Sequence, residues 1–206
     1  MSLDLTQRRA LAAAALKVAI DKPWRDATIF DLAAAAAAPI EDFAGATLGD
    51  AIDAVEESFD AEAAKGLRAV DWTVRVRDRL FDVAMRRFEA MERVRGAVRA
   101  IEITIERDPA ALAHQHLRAV RSARWLLTLA GVDADGVGGA ARAQGFALIL
   151  TQARAAWRLD DSGDFVKTMA ALDKALRQAE QTFGRYGGFE PQSAAGSAPA
   201  DPPAAA

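Results

Sequence analysis

The fold is decided by one stretch of the sequence, residues 24–52, which reads WRDATIFDLAAAAAAPIEDFAGATLGDAI. Thr28 and Asp31 have the spacing of a capping box, in which the hydroxyl accepts an early backbone N–H and the acid reaches back to the cap. A helix is therefore predicted from Thr28. Pro39 ends it, because proline has no N–H to continue the hydrogen-bond ladder. A short third helix is predicted over residues 40–46.

Helical patterns extend on both sides of this stretch. Upstream, residues 4–20 have the apolar spacing of a helix that ends before Pro23, and Trp24 is expected to fill the bundle behind it. Downstream, Thr47 and Asp50 repeat the capping-box spacing and predict the start of a fourth helix. The N-terminal part of the chain is thus predicted to be a bundle of three short helices.

About five longer helices are predicted after this bundle, from their apolar periodicity. Asp71 is expected to cap the first of them. Asp108 before Pro109 combines a cap with proline at the first helical position. Either Ser162 or Asp164 is expected to cap the last helix. The pattern predicts an all-α protein.

The composition agrees with an all-α protein. The chain has 206 residues, of which 51% are hydrophobic, and alanine, the best helix former, supplies much of that share. It has no cysteine, which excludes disulfides and thiolate metal sites. Neither a membrane-spanning apolar run nor the layout of a signal peptide is recognisable. We expect a soluble, cytoplasmic protein with no transmembrane segment.

Charge is unevenly distributed along the chain. Residues 1–60 contain five basic and eleven acidic groups, a balance of −6, whereas residues 61–100 contain ten basic and six acidic groups, a balance of +4. The positive balance includes five arginines interleaved with acids in one predicted helix. These arginines are expected to form a solvated, partly paired face. They are Arg75, Arg77, Arg79, Arg86 and Arg87.

Residues 5–55 resemble the TetR family of bacterial transcriptional regulators. The resemblance is carried by Trp24 to Ala33, by Phe43 at the buried apolar position of a recognition helix, and by Asp50-Ala51-Ile52 at the entry to helix four. It implies a helix-turn-helix domain over residues 1–47 and a larger helical ligand-binding and dimerisation domain over residues 48–186. Residues 187–206, rich in Gly, Pro and Ala, are expected to be a disordered tail.

The resemblance also implies sites and partners: duplex DNA, a small apolar ligand and a second copy of the chain. The candidates for DNA contact are Lys22, Arg25, Thr28 and Thr47. The last two long helices would form a dimer face as a four-helix bundle, with candidate contacts Ile149, Trp157, Leu172 and Leu176. Large apolar side chains are expected to line a ligand pocket or to belong to the core, and these are Phe81, Met85, Phe88, Trp125, Leu126, Phe146 and Leu150.

Several departures from the family pattern concern DNA binding. Ala37 replaces the turn glycine, Ala44 replaces an aromatic residue, and Gly49 replaces a lysine. The recognition stretch, residues 40–46, contains two acids and no base, whereas phosphate contact and base readout both favour basic or amide side chains. The resemblance therefore predicts a DNA-binding regulator, and the charge argues against it. Both interpretations stay open.

A second, shorter resemblance concerns the C-terminal part. Trp157-Arg158-Leu159-Asp160-Asp161-Ser162-Gly163-Asp164-Phe165, followed by Thr168 and Leu172-Asp173, is similar to the end of the ubiquinone-biosynthesis lipid-binding proteins, which share the TetR fold. It implies an alternative function, a lipid- or quinone-binding accessory protein that does not bind DNA.

The sequence gives no indication of an enzyme, a cofactor or a metal site. His114 and His116, two residues apart, point to different sides of a helix. Residues 133–136 resemble the start of a calcium loop, but apolar residues stand where its final acid should fall. We interpret that segment as a turn before a helix.

Overall fold

The computed structural model describes residues 3–189, apart from the side chains of residues 185 and 186, and within that range the chain is all-helical. Eight α-helices are present in the described residues: α1 (Leu5–Asp21), α2 (Ile29–Ala36), α3 (Leu48–Ala64), α4 (Val76–Glu92), α5 (Arg95–Ile105), α6 (Pro109–Leu129), α7 (Gly136–Arg158) and α8 (Val166–Phe183). Short 3₁₀ helices cover Trp24–Asp26, Ile40–Phe43 and Gly184–Gly187. The predicted all-α class is confirmed.

The N-terminal bundle forms from the local signals that predict it. Thr28 and Thr47 both close complete capping boxes, with Asp31 and Asp50 respectively, and these boxes begin α2 and α3. Trp24 is buried between the helices, as expected. α1 packs on α2 and α3, and these three helices form the N-terminal bundle.

The start of α4 differs from the prediction. Asp71 does not cap it, because the carboxylate instead accepts hydrogen bonds from the backbone N–H and hydroxyl of Thr73, and the helix begins only at Val76. The intervening loop is held by Arg79, whose Nε donates to the carbonyl of Ala130 at 2.8 Å and whose guanidinium lies over the ring of Trp72. A buried arginine therefore supports this loop instead of a helix cap.

Two of the five arginines that we expected to be solvated, Arg79 and Arg87 on α4, are buried. Sequence spacing alone does not distinguish a buried arginine from an exposed one. An arginine on a helix is predicted to be exposed unless the carboxylate that another helix provides is known. The fold supplies carboxylates for Arg87, and they come from α3.

The C-terminal helices pack in sequence order, α6 on α7 and α7 on α8, and α8 closes back onto α4. Trp157 is completely buried near the end of α7. Its Nε1 donates to Glu92 at 2.6 Å, and the guanidinium of Arg95 stacks on its ring at 4.8 Å. This tryptophan thereby joins the end of α7 to the α4–α5 junction.

The turn between α7 and α8 is organised by Asp160. Its carboxylate accepts the backbone N–H of Thr168 at 2.7 Å and the hydroxyl of the same residue at 2.8 Å. Ser162, one of the two predicted caps, accepts the N–H of Val166, whereas no side-chain cap bond is formed by Asp164. The segment that resembles lipid-binding proteins is thus used here to make a helix turn.

A group of charged and polar side chains, mostly buried, connects five helices, and we call it the buried ionic cluster. It consists of Glu56 and Asp60 on α3, Arg87 on α4, Glu102 on α5, Gln115 and Ser122 on α6, and Arg154 on α7. Glu56 accepts from Arg87 and, at 2.9 Å, from Arg154. Gln115 also donates to Glu56, at 3.1 Å. One carboxylate of α3 is therefore held from three other helices.

The other two carboxylates of the cluster, Asp60 and Glu102, are hydrogen-bonded as well. Asp60 accepts Arg87 Nε and Ser122 Oγ, both at 2.7 Å, and Glu102 accepts Arg154 Nε at 2.5 Å. Since a buried charge without partners costs several kcal/mol, these contacts require the helices to keep their mutual positions.

The pKa of Glu56 reflects this environment. Burial raises the pKa, but the charges of Arg154 and Arg87 outweigh burial and lower it from 4.5 to about 2. Because the folded pKa lies below the unfolded one, the stabilisation is complete above pH 4.5 and is lost as the pH falls towards 2.

We predict that Glu56→Gln lowers the free energy of unfolding at pH 7 by about 3–5 kcal/mol, because two buried guanidinium groups lose their shared carboxylate. The variant should also lose part of the acid sensitivity of the parent. Urea unfolding measured between pH 7 and pH 3 by circular dichroism tests both effects. Glu57→Gln, next to it but half-exposed, is the control and should cost less than about 1 kcal/mol. Equal losses in the two variants would contradict the role of the cluster.

Candidate functional site

The segment expected to be the recognition helix is much shorter than predicted. Residues 40–46 were expected to be helical, but only Ile40–Phe43 is, and as a 3₁₀ helix. Phe43 is buried, as the resemblance implies, while Glu41 and Asp42 are exposed. Proline at position 39 and glycine at position 45, with φ of +82°, frame the segment and limit its length.

The turn before this segment has the backbone of a helix-turn-helix. Ala37 has φ 52° and ψ 39°, the left-handed conformation that usually selects glycine. An alanine in this conformation costs about 1–2 kcal/mol. The turn therefore has a left-handed residue without the glycine that usually occupies this conformation.

The two basic candidates for DNA contact lie beside acids. Lys22 Nζ is 2.9 Å from Asp31 Oδ2. Arg25 lies 3.6 Å from Asp26, and both side chains are exposed. Together with the two hydrogen bonds from Thr28, the bond from Lys22 lowers the pKa of Asp31 from 3.8 to about 2. Lys22 is therefore paired with an acid of its own domain.

The two hydroxyl candidates are similarly occupied. Thr28 Oγ1 donates to Asp31 Oδ2 at 2.7 Å, and Thr47 Oγ1 donates to Asp50 Oδ2 at 2.6 Å. Both hydroxyl protons therefore serve the capping boxes. The structure brings all four candidates to the surface of the N-terminal bundle but gives each of them an acidic neighbour.

A second candidate site lies between α7 and α8. A cavity of about 510 Å³, which we call the α7–α8 groove, opens between these helices. Phe146, Phe183 and Phe189 line it, and its floor includes Leu80 and Leu127. Small side chains on the facing helices leave the space between them, and these are Ala141, Gly145, Ala175 and Ala179.

Polar groups are few in the α7–α8 groove. They are Arg142, Gln152, Gln178 and Thr182. Arg142 also contacts Asp133, at 2.7 Å to its carbonyl and 3.2 Å to its carboxylate. An apolar cavity with a small number of polar groups is the usual form of a small-molecule site.

The predicted pocket residues lie in several different environments in the structure. Phe146 lines the α7–α8 groove. Phe81 lines a different cavity, of about 490 Å³, between α4 and α8. Trp125 is on the surface, where Nε1 donates to the carbonyl of Asp60 at 3.1 Å. The remaining four belong to the core, as the alternative interpretation holds, and these are Met85, Phe88, Leu126 and Leu150.

The predicted dimer contacts lie mostly inside the chain. Trp157, Leu172 and Leu176 are completely buried by their own helices, so they have no surface for a second copy. Ile149 is half-buried and lines the α7–α8 groove. The exposed apolar side chains of α7 are instead Val137, Ala141, Leu148 and Ala155, with Leu159 directly after the helix. Two of them, Ala141 and Leu148, lie at the edge of the α7–α8 groove.

Sequence reasoning missed the groove residues of α8 and of the chain beyond it. Phe183 was assigned only to the last helix, and Phe189 lay within the predicted tail. Gly188 is buried and Phe189 packs against the core, so the packed chain continues to residue 189. The sequence feature that could have indicated this packing is the pair of phenylalanines, one on each side of a Gly-rich segment. The rest of the predicted tail lies outside the described residues.

Among the described residues no group of His, Asp and Glu side chains is arranged to hold a metal ion. His114 and His116 are exposed, and His116 Nε2 lies 3.0 Å from the side-chain oxygen of Gln144. Asp133 accepts the backbone N–H of Asp135, which makes the local turn before α7. Within residues 3–189, no helix is long and apolar enough to span a membrane.

No family model matches the sequence, and no curated protein matches it either. Among solved structures, the chain is similar to the TetR transcriptional regulator of Nitrosomonas europaea, with a TM-score of 0.65. The match covers 84% of this chain and 98% of that one at 17% sequence identity. The chain therefore has the TetR regulator fold.

Proposed function

We propose that the protein is a ligand-responsive regulator whose C-terminal domain binds an apolar small molecule in the α7–α8 groove. The observation that carries the proposal is the groove itself, because three phenylalanines converge on a cavity large enough for a small ligand. The polar groups at its edge favour a molecule with an apolar body and one hydrogen-bonding end.

Gly145 faces the groove, and a Cβ added there meets no atom within 4 Å, so Gly145→Phe fills the cavity without a backbone clash. We expect saturable binding of the neutral fluorescent probe N-phenylnaphthylamine to the parent protein. The variant should bind it at least about tenfold more weakly, a loss of about 1.4 kcal/mol.

The matched control is Gly96→Phe. Gly96 is also a helical glycine with open space around its Cβ, but it lies on α5 and outside the groove. The control should bind the probe like the parent, and both variants should keep the helical circular dichroism spectrum. Equal probe binding by Gly145→Phe and the parent would contradict the groove as the ligand site.

The TetR regulator fold supports duplex DNA as the first candidate partner. A ligand in the groove would favour one arrangement of α7 and α8 and, through the buried ionic cluster, one position of α3 and the N-terminal bundle. Such a shift requires a ligand that binds one arrangement more tightly than the other. In a dimer, it would alter the spacing of the two N-terminal domains.

One observation favours a second candidate function, in which the same fold binds an apolar ligand, including a lipid or quinone, without binding DNA. The recognition segment is four residues long and exposes two carboxylates. Phosphate contact supplies most non-specific DNA affinity and requires cations. A short acidic segment supports a partner other than DNA.

Fluorescence anisotropy of labelled upstream DNA across a salt series separates the two candidates. The first candidate predicts saturable, sequence-selective DNA binding that weakens as the salt concentration rises. The affinity for DNA should be lower in Arg25→Ala, because that exposed cation would contact a phosphate. The control Arg68→Ala removes an exposed cation outside the N-terminal bundle. Absence of binding even at low salt would remove the first candidate for that DNA and leave the second.

Dimerisation belongs to the proposal as well, and we assign it to the exposed apolar positions of α7 defined above. Leu148 is at their centre and is 56% exposed. We predict that Leu148→Lys converts the dimer to a monomer, because two buried lysines would meet across the interface. Light scattering after gel filtration measures the mass. Leu117→Lys on α6, 60% exposed in the parent, is the control and should leave the mass unchanged. A monomeric parent would contradict the assignment.

A further inference from the structure

The outward side of α2 and the segment after it form an apolar and acidic surface. Phe30, Ala34 and Ala37 follow one another at helical spacing and are exposed, and Phe30 is 73% exposed. The surface continues at Ile40, 38% exposed, and at the carboxylates of Glu41 and Asp42. We call these six residues the α2 face.

The side chains of the α2 face lie outside the buried core, and this face contacts α1 through the backbone, where the carbonyl of Asp42 accepts a hydrogen bond from Gln7. The residues that α2 and the following 3₁₀ helix contribute to the core are Leu32, Ala33 and Phe43. Within the described residues, neither Glu41 nor Asp42 forms a side-chain ion pair. A large aromatic ring and two unpaired acids on one side of a small domain therefore remain available for a partner.

The negative charge of the α2 face opposes several kinds of partner. Nucleic acid would place phosphates against Glu41 and Asp42, in a domain whose residues 1–60 have a balance of −6. Anionic lipid surfaces are repelled for the same reason. A second copy of the chain, docked through this face, would oppose like carboxylates. A segment with both apolar and basic side chains is complementary to the α2 face in charge and in hydrophobicity.

We propose that the α2 face docks a basic amphipathic helix or strand of another protein, with Phe30 as the apolar contact and Glu41 and Asp42 as the partners of its Lys or Arg residues. The helix-turn-helix geometry would then serve protein recognition. The proposal adds a partner to the second candidate function, and it does not depend on the α7–α8 groove being a ligand site.

The partner can be identified by photo-crosslinking in the cells that produce the protein. The full-length chain is made with benzoylphenylalanine in place of Phe30 or, as a control of similar exposure on α6, in place of Leu117. We expect one protein to be captured from position 30 and not from position 117, and its crosslinked peptide to contain basic and apolar residues. Capture of DNA, of an acidic segment or of nothing from position 30 would overturn the proposal.

Binding of the captured segment, made as a labelled peptide, then tests the charges. Phe30→Ser and the double variant E41K/D42K should each weaken binding about tenfold or more, since central aromatic and charged contacts dominate such interfaces. The double variant D161K/D164K makes the same change in net charge at exposed positions of the α7–α8 turn and should bind like the parent.

A salt series on the same peptide separates specific docking from general attraction to an acidic protein. Affinity should fall with salt for the parent and for D161K/D164K, and less steeply for E41K/D42K. Equal losses in the two charge variants would overturn the proposal. Binding of N-phenylnaphthylamine to the α7–α8 groove is measured on the same samples. It shows whether the ligand site is kept when peptide binding is lost.

Discussion

The buried carboxylate of Glu56 is the constraint on which the rest of the structure depends. It lies on α3, the helix that connects the N-terminal bundle to the C-terminal helices, and it is contacted by Arg87 of α4, Arg154 of α7 and Gln115 of α6. A charge buried in this way is tolerated only while its partners stay in place. The position of α3 is therefore tied to that of α7, which forms one wall of the groove.

This arrangement connects the two surfaces at which we propose binding. The α7 residues that line the α7–α8 groove lie between Ala141 and Gln152, on the same helix as Arg154, and α1 packs on α3. A ligand that displaces α7 must either move α3 or separate Arg154 from Glu56. Coupling between a ligand and a distant surface requires such a connection between two arrangements, and buried ion pairs make intermediate arrangements costly.

The N-terminal bundle shows how the same acids can stabilise a fold and oppose a function. Asp31 and Asp50 close the capping boxes that begin α2 and α3, and Asp31 also pairs with Lys22. These contacts stabilise the helix-turn-helix geometry. They also occupy the hydroxyls and one of the cations that a phosphate would need, so stability and DNA contact compete for the same groups.

The fold was predictable where its signals are local. Capping boxes involve residues three apart, so Thr28 with Asp31 and Thr47 with Asp50 could be recognised from sequence, and both are confirmed. Asp71 has the same residue type as these caps, yet it bonds to Thr73 in a loop that Arg79 supports from α4. A lone acid does not specify which backbone N–H it will meet.

The sequence by itself determined the helical class, the order of the helices and the acidic character of the recognition segment, because these follow from composition, spacing and charge along the chain. Only the tertiary structure decided which apolar side chains line a cavity and which fill the core. Phe146 and Phe88 have equivalent sequence patterns, but only Phe146 faces the space between α7 and α8. Burial of Arg87 was decided in the same way, since its carboxylate partners lie about thirty residues away on another helix.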